Sequence, residues 1–137
     1  MSAIKASPTT VDFTNPKVSA AGFKAACNIL AKWGCKTDEM QAIMRISKSR
    51  FFDYKSGKKE GYLLDKDQLT RISYILNIHA ALRVFFSNPE NVYGFMNMVN
   101  NNPFFCGRKP IEIIKDGDFI NIYEVFCRID SMRSGGH

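Results

Sequence analysis

The residues best placed to do chemistry lie in TDEMQAIMRISKSRFFDYKSGK, Thr37 to Lys58, and the chemistry they offer is contact with a polyanion. From Arg45 to Arg71 there are eight basic residues: Arg45, Lys48, Arg50, Lys55, Lys58, Lys59, Lys66 and Arg71. Asp53, Glu60, Asp65 and Asp67 oppose them, so this stretch supplies +4 of the formal net charge of +6. Lysine and arginine meet phosphates and release condensed counterions, which gives affinity independent of base sequence. Within the segment, Met40, Met44, Ile46, Phe51 and Tyr54 are spaced so that two short helices pack on a preceding one. Ile46 fills the turn between them and Ser47 caps the second helix.

That spacing leaves Lys48, Ser49, Arg50, Phe52, Asp53 and Lys55 facing outward. It is the pattern of a helix-turn-helix, whose second helix enters the major groove. The candidate DNA-binding residues are Ser47, Lys48, Ser49, Arg50, Phe52, Lys55, Lys58 and Lys59. Lys48, Ser49 and Phe52, near the helix start, are the candidate base readers, Phe52 through a thymine methyl. Two positions depart from the usual unit. Arg45 stands where the turn commonly has glycine and needs either a positive φ or a different turn. Gln41 stands where the first helix commonly has alanine. The competing reading is an ordinary three-helix core with a solvated basic face.

Other chemistry finds little support. Catalysis needs titratable groups gathered in a cleft, and His79 and His137 are the two histidines. His79 lies among Ile78, Ala80, Ala81 and Leu82 and reads as structural. Cys27, Cys35, Cys106 and Cys127 form no CxxC pair, so no metal site is expected. Cys27, and less so Cys127, sit at apolar helix positions, where a reduced thiol packs as a small hydrophobe. Asp65/Asp67 and Asp116/Asp118 flank helix starts, where capping explains them. The expectation is no catalytic residue, no cofactor and no enzyme.

The elements that position the basic segment are helical. Asn15-Pro16 starts a helix whose face carries Phe23, Ala26, Cys27, Leu30 and Trp33, closed at Gly34. Thr37 begins a second and Ser47 a third, which Ser56-Gly57 ends. Lys58 to Leu64 is a loop, and Asp65 with Gln68 resembles a capping box. The next helix buries Leu69, Ile72, Ile75 and Leu76 and is expected to break near Asn77. Asn88-Pro89 starts another, which Asn100 to Pro103 ends. Pro110 opens a short turn to Ile114, Gly117 stops it, and Asp118 caps a last helix with a stripe of Phe119, Ile122, Tyr123, Phe126 and Ile129. The fold class is all-α, without strand alternation.

Residues 1–14 are polar and unpatterned and read as a flexible arm. With 45% apolar residues, 11 Phe and 5 Tyr, the chain has the material for a core. No run approaches the roughly 18 apolar residues of a membrane span. Met1 to Val11 lacks a secretion signal, so the cytoplasm is expected.

The segment NNPFFCGRKPIEIIKDGDFINIYEVFCRIDSM, Asn101 to Met132, resembles the toxin-binding domain of the Xre/MbcA/ParS antitoxins. There an asparagine loop, a Gly-x-x-Pro element and a short apolar turn precede a final helix. Here these are Asn102, Gly107 to Pro110, Ile111 to Ile114 and Phe119 to Met132. Phe95 or Met96 occupies the place where that family often has tryptophan. The resemblance covers about residues 20–133. It implies an Xre-like helix-turn-helix domain over 15–87 and a toxin-binding domain over 88–133, between the arm over 1–14 and a tail over 134–137.

The resemblance also implies partners: a RES-type toxin that consumes NAD, and double-stranded DNA of the protein's own promoter, bound as a homodimer. The implied toxin-facing residues are Arg108, Lys109, Arg128, Arg133 and the tail, with basic groups meeting acidic toxin groups or mimicking substrate contacts; the competing reading leaves the arginines merely solvated. The implied function is an antitoxin that blocks its toxin and represses its operon. A helix-turn-helix regulator of phage or plasmid origin without a toxin stays open, as does an interaction module that binds no DNA.

Overall fold

A computed structural model describes residues 15–133 and 135; the arm read over 1–14 lies outside the described residues. Seven α-helices follow one another: α1 Pro16–Lys32, α2 Thr37–Met44, α3 Lys48–Lys55, α4 Lys66–Phe85, α5 Pro89–Gly94, α6 Pro110–Ile114 and α7 Phe119–Arg133. A 3-10 turn, Phe95–Asn97, extends α5. No strand occurs among the described residues.

Local chemistry sets the helix starts. The Asn15 side chain accepts from the Lys17 N–H at 2.9 Å, with Pro16 in the first turn. Asp65 and Gln68 cap α4 reciprocally, at 2.8 and 2.9 Å. Asn88 and Asp118 accept from Asn91 and Asn121 at 2.8 and 3.0 Å.

The 20-residue α4 is the central element, with α1 on one side and α7 on another. One apolar core runs through both halves of the chain, from Phe23, Leu30 and Trp33 through Ile72 and Ile75 to Ile122, Val125 and Ile129. Phe23 is fully buried at the centre of an aromatic group. Its ring meets those of Phe51, Tyr54 and Tyr62 edge-on, with centroids 5.6, 5.8 and 5.7 Å away. Tyr54 and Tyr62 stack at 3.8 Å. Such pairs add about 0.5–1.5 kcal/mol each beyond area burial, and here they press α3 and the following loop onto α1.

Three local expectations need correcting. α4 does not break at Asn77, because that residue faces solvent and its amide donates to Ser73 Oγ at 3.4 Å. The helix begun at Pro89 ends well before Asn100. Met96 is fully buried there, and the Asn97 amide donates to the Trp33 carbonyl at 2.7 Å, which tightens the chain into the 3-10 turn. In α7 the fully buried line is Ile122, Val125 and Ile129, whereas Tyr123 is 43% exposed. Phe119, Tyr123 and Phe126 instead gather around Tyr74 of α4, with centroids 5.9, 5.7 and 5.2 Å away.

His79 is half-buried and stacks on Tyr93 at 5.2 Å; burial, then Arg83, lowers its pKa. Burial pushes the Cys27 thiol up to about 11 and the Cys35 thiol up to about 12. Thiolate is the reactive form, so a thiol reagent near neutral pH should modify Cys106 first and Cys127 more slowly. Cys27 and Cys35 should react only on unfolding, a sequence that mass spectrometry of timed samples would read.

Candidate nucleic-acid interface

The recognition unit starts from α2, where Met40, Ile43 and Met44 are buried. The helix closes at Arg45, whose φ of 56° and ψ of 47° are left-handed. The Arg45 N–H donates to the Ala42 carbonyl at 3.2 Å and the Ile46 N–H to the Gln41 carbonyl at 3.0 Å, a Schellman closure. The turn is therefore of the ordinary kind, made without glycine. A left-handed non-glycine residue costs about 1–2 kcal/mol, so something has to hold it.

The holding groups come from the start of α4. The Arg45 guanidinium donates to Asp65 through Nη2 and to Asp67 Oδ2 through Nε, the latter at 2.5 Å. The Gln68 amide donates to the Arg45 carbonyl at 3.0 Å. Asp67 Oδ2 also accepts from Arg71 Nε at 3.0 Å. Buried Arg71 then reaches two carbonyls through Nη1, that of Ile43 at 3.2 Å and that of Gly117 at 2.6 Å. Gly117 lies against α2 so closely that a Cβ there would stand 2.2 Å from the Ala42 oxygen, and its φ is +85°. Lys115 approaches Glu39 of α2 at 4.0 Å.

The second helix is carried on buried Phe51 and Tyr54. Ser47 caps it weakly, accepting from the Arg50 N–H at 3.4 Å. At 3.6 residues per turn, Ser49 and Phe52 lie opposite the buried pair. Lys48 and Lys55 flank them on one side, Arg50 and Asp53 on the other. All eight residues expected at DNA are exposed, Phe52 by 45%. Lys59 meets Asp53 at 3.3 Å, which offsets the one carboxylate on this face. Lys48, Arg50, Lys55 and Lys58 meet no carboxylate among the described residues. Arg45, counted with the basic residues from sequence, stays exposed but is paired with Asp65 and Asp67.

Residues 17–77 match the antitoxin Xre-like helix-turn-helix domain. The Xre-like match takes in α1, α2, α3 and the part of α4 that carries Asp67, Gln68 and Arg71, so the clamp and the helix it orients lie within it. The chain is 29% identical over 116 residues to the uncharacterized protein y4oB of Sinorhizobium fredii (strain NBRC 101917 / NGR234), covering 84% of this chain and 86% of that protein. No solved structure matches. Among the described residues no helix is long and apolar enough to cross a membrane.

Outside the Xre-like match, the four basic residues expected at a toxin are all exposed. Arg108 and Arg128 converge on the Phe104 ring, 5.8 and 4.9 Å from its centroid. Lys109 precedes α6. Arg133 is held by Asp130 at 2.8 Å, which reduces its availability. Of the tail, Gly135 alone is described.

Sequence reasoning missed the Arg45–Asp67–Arg71 network. Its signal was present in the i,i+4 pair Asp67 and Arg71 and in a basic residue at the left-handed turn. Arg71→Ala would leave the Ile43 and Gly117 carbonyls unpaired and should cost about 2–4 kcal/mol in urea unfolding, whereas Lys48→Ala should stay within about 0.5 kcal/mol.

The clamp also has a pH signature. The Gln68 N–H, then the Arg45 guanidinium, hold the Asp65 carboxyl below its ordinary 3.8. A depressed carboxyl contributes stability that is complete above the unfolded value and lost as pH falls through the folded one. Wild type should therefore lose its stability margin over Asp65→Asn on acidification below about pH 4, read as converging melting temperatures.

Proposed function

We propose that this protein is the antitoxin of a type II toxin–antitoxin pair, binding its own promoter through α3 and its toxin through residues 88–133. The observation that carries the reading is a short outward helix inside the Xre-like match, with Lys48, Arg50 and Lys55 uncompensated and Ser49 and Phe52 between them. On DNA, Arg50, Lys55, Lys58 and Lys59 would meet phosphates, while Lys48, Ser49 and Phe52 face base edges and Ser47 sits at the helix start. Two copies would place two such helices on matching half-sites. Within the chain, residues 15–87 would form the DNA-binding part and 88–133 the toxin-binding part.

The proposed toxin is of the RES type and consumes NAD. Arg108, Lys109, Arg128 and Arg133 would face its acidic groups and cover its active-site entrance. A second reading is a helix-turn-helix regulator of phage or plasmid origin without a toxin. Both readings share the outward α3 within residues 17–77, and they differ in whether residues 88–133 meet a toxin.

A gel shift on the upstream promoter tests the shared claim. Binding should weaken steeply with salt, and Lys48→Glu with Arg50→Glu should weaken it strongly and flatten the salt dependence of what remains. Co-expression with the neighbouring reading frame separates the two readings. A stable complex, with toxicity of that neighbour alone, supports the antitoxin. A harmless neighbour that does not co-purify supports the regulator.

A further inference from the structure

A cavity of about 950 Å³ opens between the loop after the 3-10 turn and the C-terminal half of α7. Pro103, Phe104 and Phe105 form one wall; Cys127, Arg128 and Met132 form the other. Its lining is mostly apolar and includes Arg128; Arg108, outside the lining, lies over the ring of Phe104 as Arg128 does. We infer that this cavity receives an acidic segment of a partner protein, one large apolar side chain entering it while neighbouring carboxylates bridge Arg108 and Arg128. The inference deepens the toxin-binding reading above and rests on it for the identity of the partner.

Charge is the first ground. Arg108 meets no carboxylate among the described residues, and the carboxylate beside Arg128 is Glu124 at 3.9 Å on an exposed turn. An exposed pair of that kind contributes little. Two cations therefore share one aromatic ring with a single, loosely placed carboxylate beside them. A partner carboxylate that reaches either guanidinium gains charge-assisted hydrogen bonds.

Preorganisation is the second ground. Arg108 Nε donates to the Phe105 carbonyl at 2.8 Å and Nη2 to the Phe104 carbonyl at 2.7 Å. That engages two of its five N–H groups and fixes the side chain, leaving the remaining donors for a partner. The loop is itself braced. The Gly107 N–H donates to the Asn100 carbonyl at 2.8 Å and the Asn100 N–H to the Arg108 carbonyl at 3.1 Å. A side chain already ordered loses less entropy on binding. The cavity supplies apolar contact, and the rim supplies the sign of charge that the occupant carries.

Fluorescence polarisation of labelled peptides on the full chain tests this. The probe is the peptide Gly-Glu-Asp-Phe-Leu-Glu-Asp-Gly, compared with its Lys-for-acid counterpart and its Ser-for-Phe/Leu counterpart. The acidic apolar peptide should bind saturably below about 1 mM and at least about tenfold tighter than either counterpart. Arg108→Glu and Arg128→Glu, both at exposed positions, should each weaken it about tenfold or more. The Met132 methyl resonance of the wild-type chain should shift on titration, a readout that needs no variant. Equal binding of the three peptides, no saturation by 1 mM, or a Met132 resonance that does not move would overturn the inference. So would a self-associated state that Arg128→Glu dissociates, since a second copy would then be the occupant. The assay contains no toxin, so peptide binding and co-purification with the neighbouring product fail separately.

Discussion

The structure depends most on how a left-handed arginine is held at the turn between α2 and α3. Arg45 takes a backbone conformation that costs about 1–2 kcal/mol without glycine. Asp65, Asp67 and Gln68 hold its side chain and its carbonyl. The same three residues belong to the first turn of α4, and two of them are its reciprocal cap. The angle of the outward helix is thus fixed to the longest and most central helix of the fold. Arg71 carries the network further, to the carbonyls of Ile43 and Gly117. The turn before α7 and the last turn of α2 therefore share one guanidinium.

That clamp also sorts charge. Asp65 and Asp67 are held by Arg45 and Arg71, and Asp53 by Lys59. Three of the four acidic residues in the basic stretch are thereby engaged, and Lys48, Arg50, Lys55 and Lys58 keep an uncompensated positive field. Packing sorts shape in the same way. Phe23 holds Phe51, Tyr54 and Tyr62, so α3 turns its polar and basic side outward and leaves Phe52 as its one exposed large apolar group.

The C-terminal half is joined to this unit by close packing. Gly117 presses on Ala42, the α7 core line meets α4, and Asn97 binds the end of α1. Its exposed face follows a different plan from that of α3. There Arg128 borders an apolar cavity and lies with Arg108 over the Phe104 ring, whereas the cations of α3 flank small and aromatic groups on a convex helix.

The helices were legible from sequence wherever local chemistry decides them. Asn15-Pro16, Asp65 with Gln68, Asn88-Pro89 and Asp118 each mark a start because a side chain and a nearby N–H satisfy one another within three residues. The exposed side of α3 was legible too, since the burial of Phe51 and Tyr54 leaves the rest of its turn in water. Other features depended on residues distant in the chain. Asn77 stays helical because its side faces solvent, α5 stops early because Met96 is buried and Asn97 binds the Trp33 carbonyl, and Arg45 is paired with two carboxylates twenty and more positions on. Local hydrogen bonding fixes where helices begin, and so the sequence alone determined them. Which charges remain free, and which aromatic rings gather cations, is set by through-space distance, and only the tertiary structure decided that.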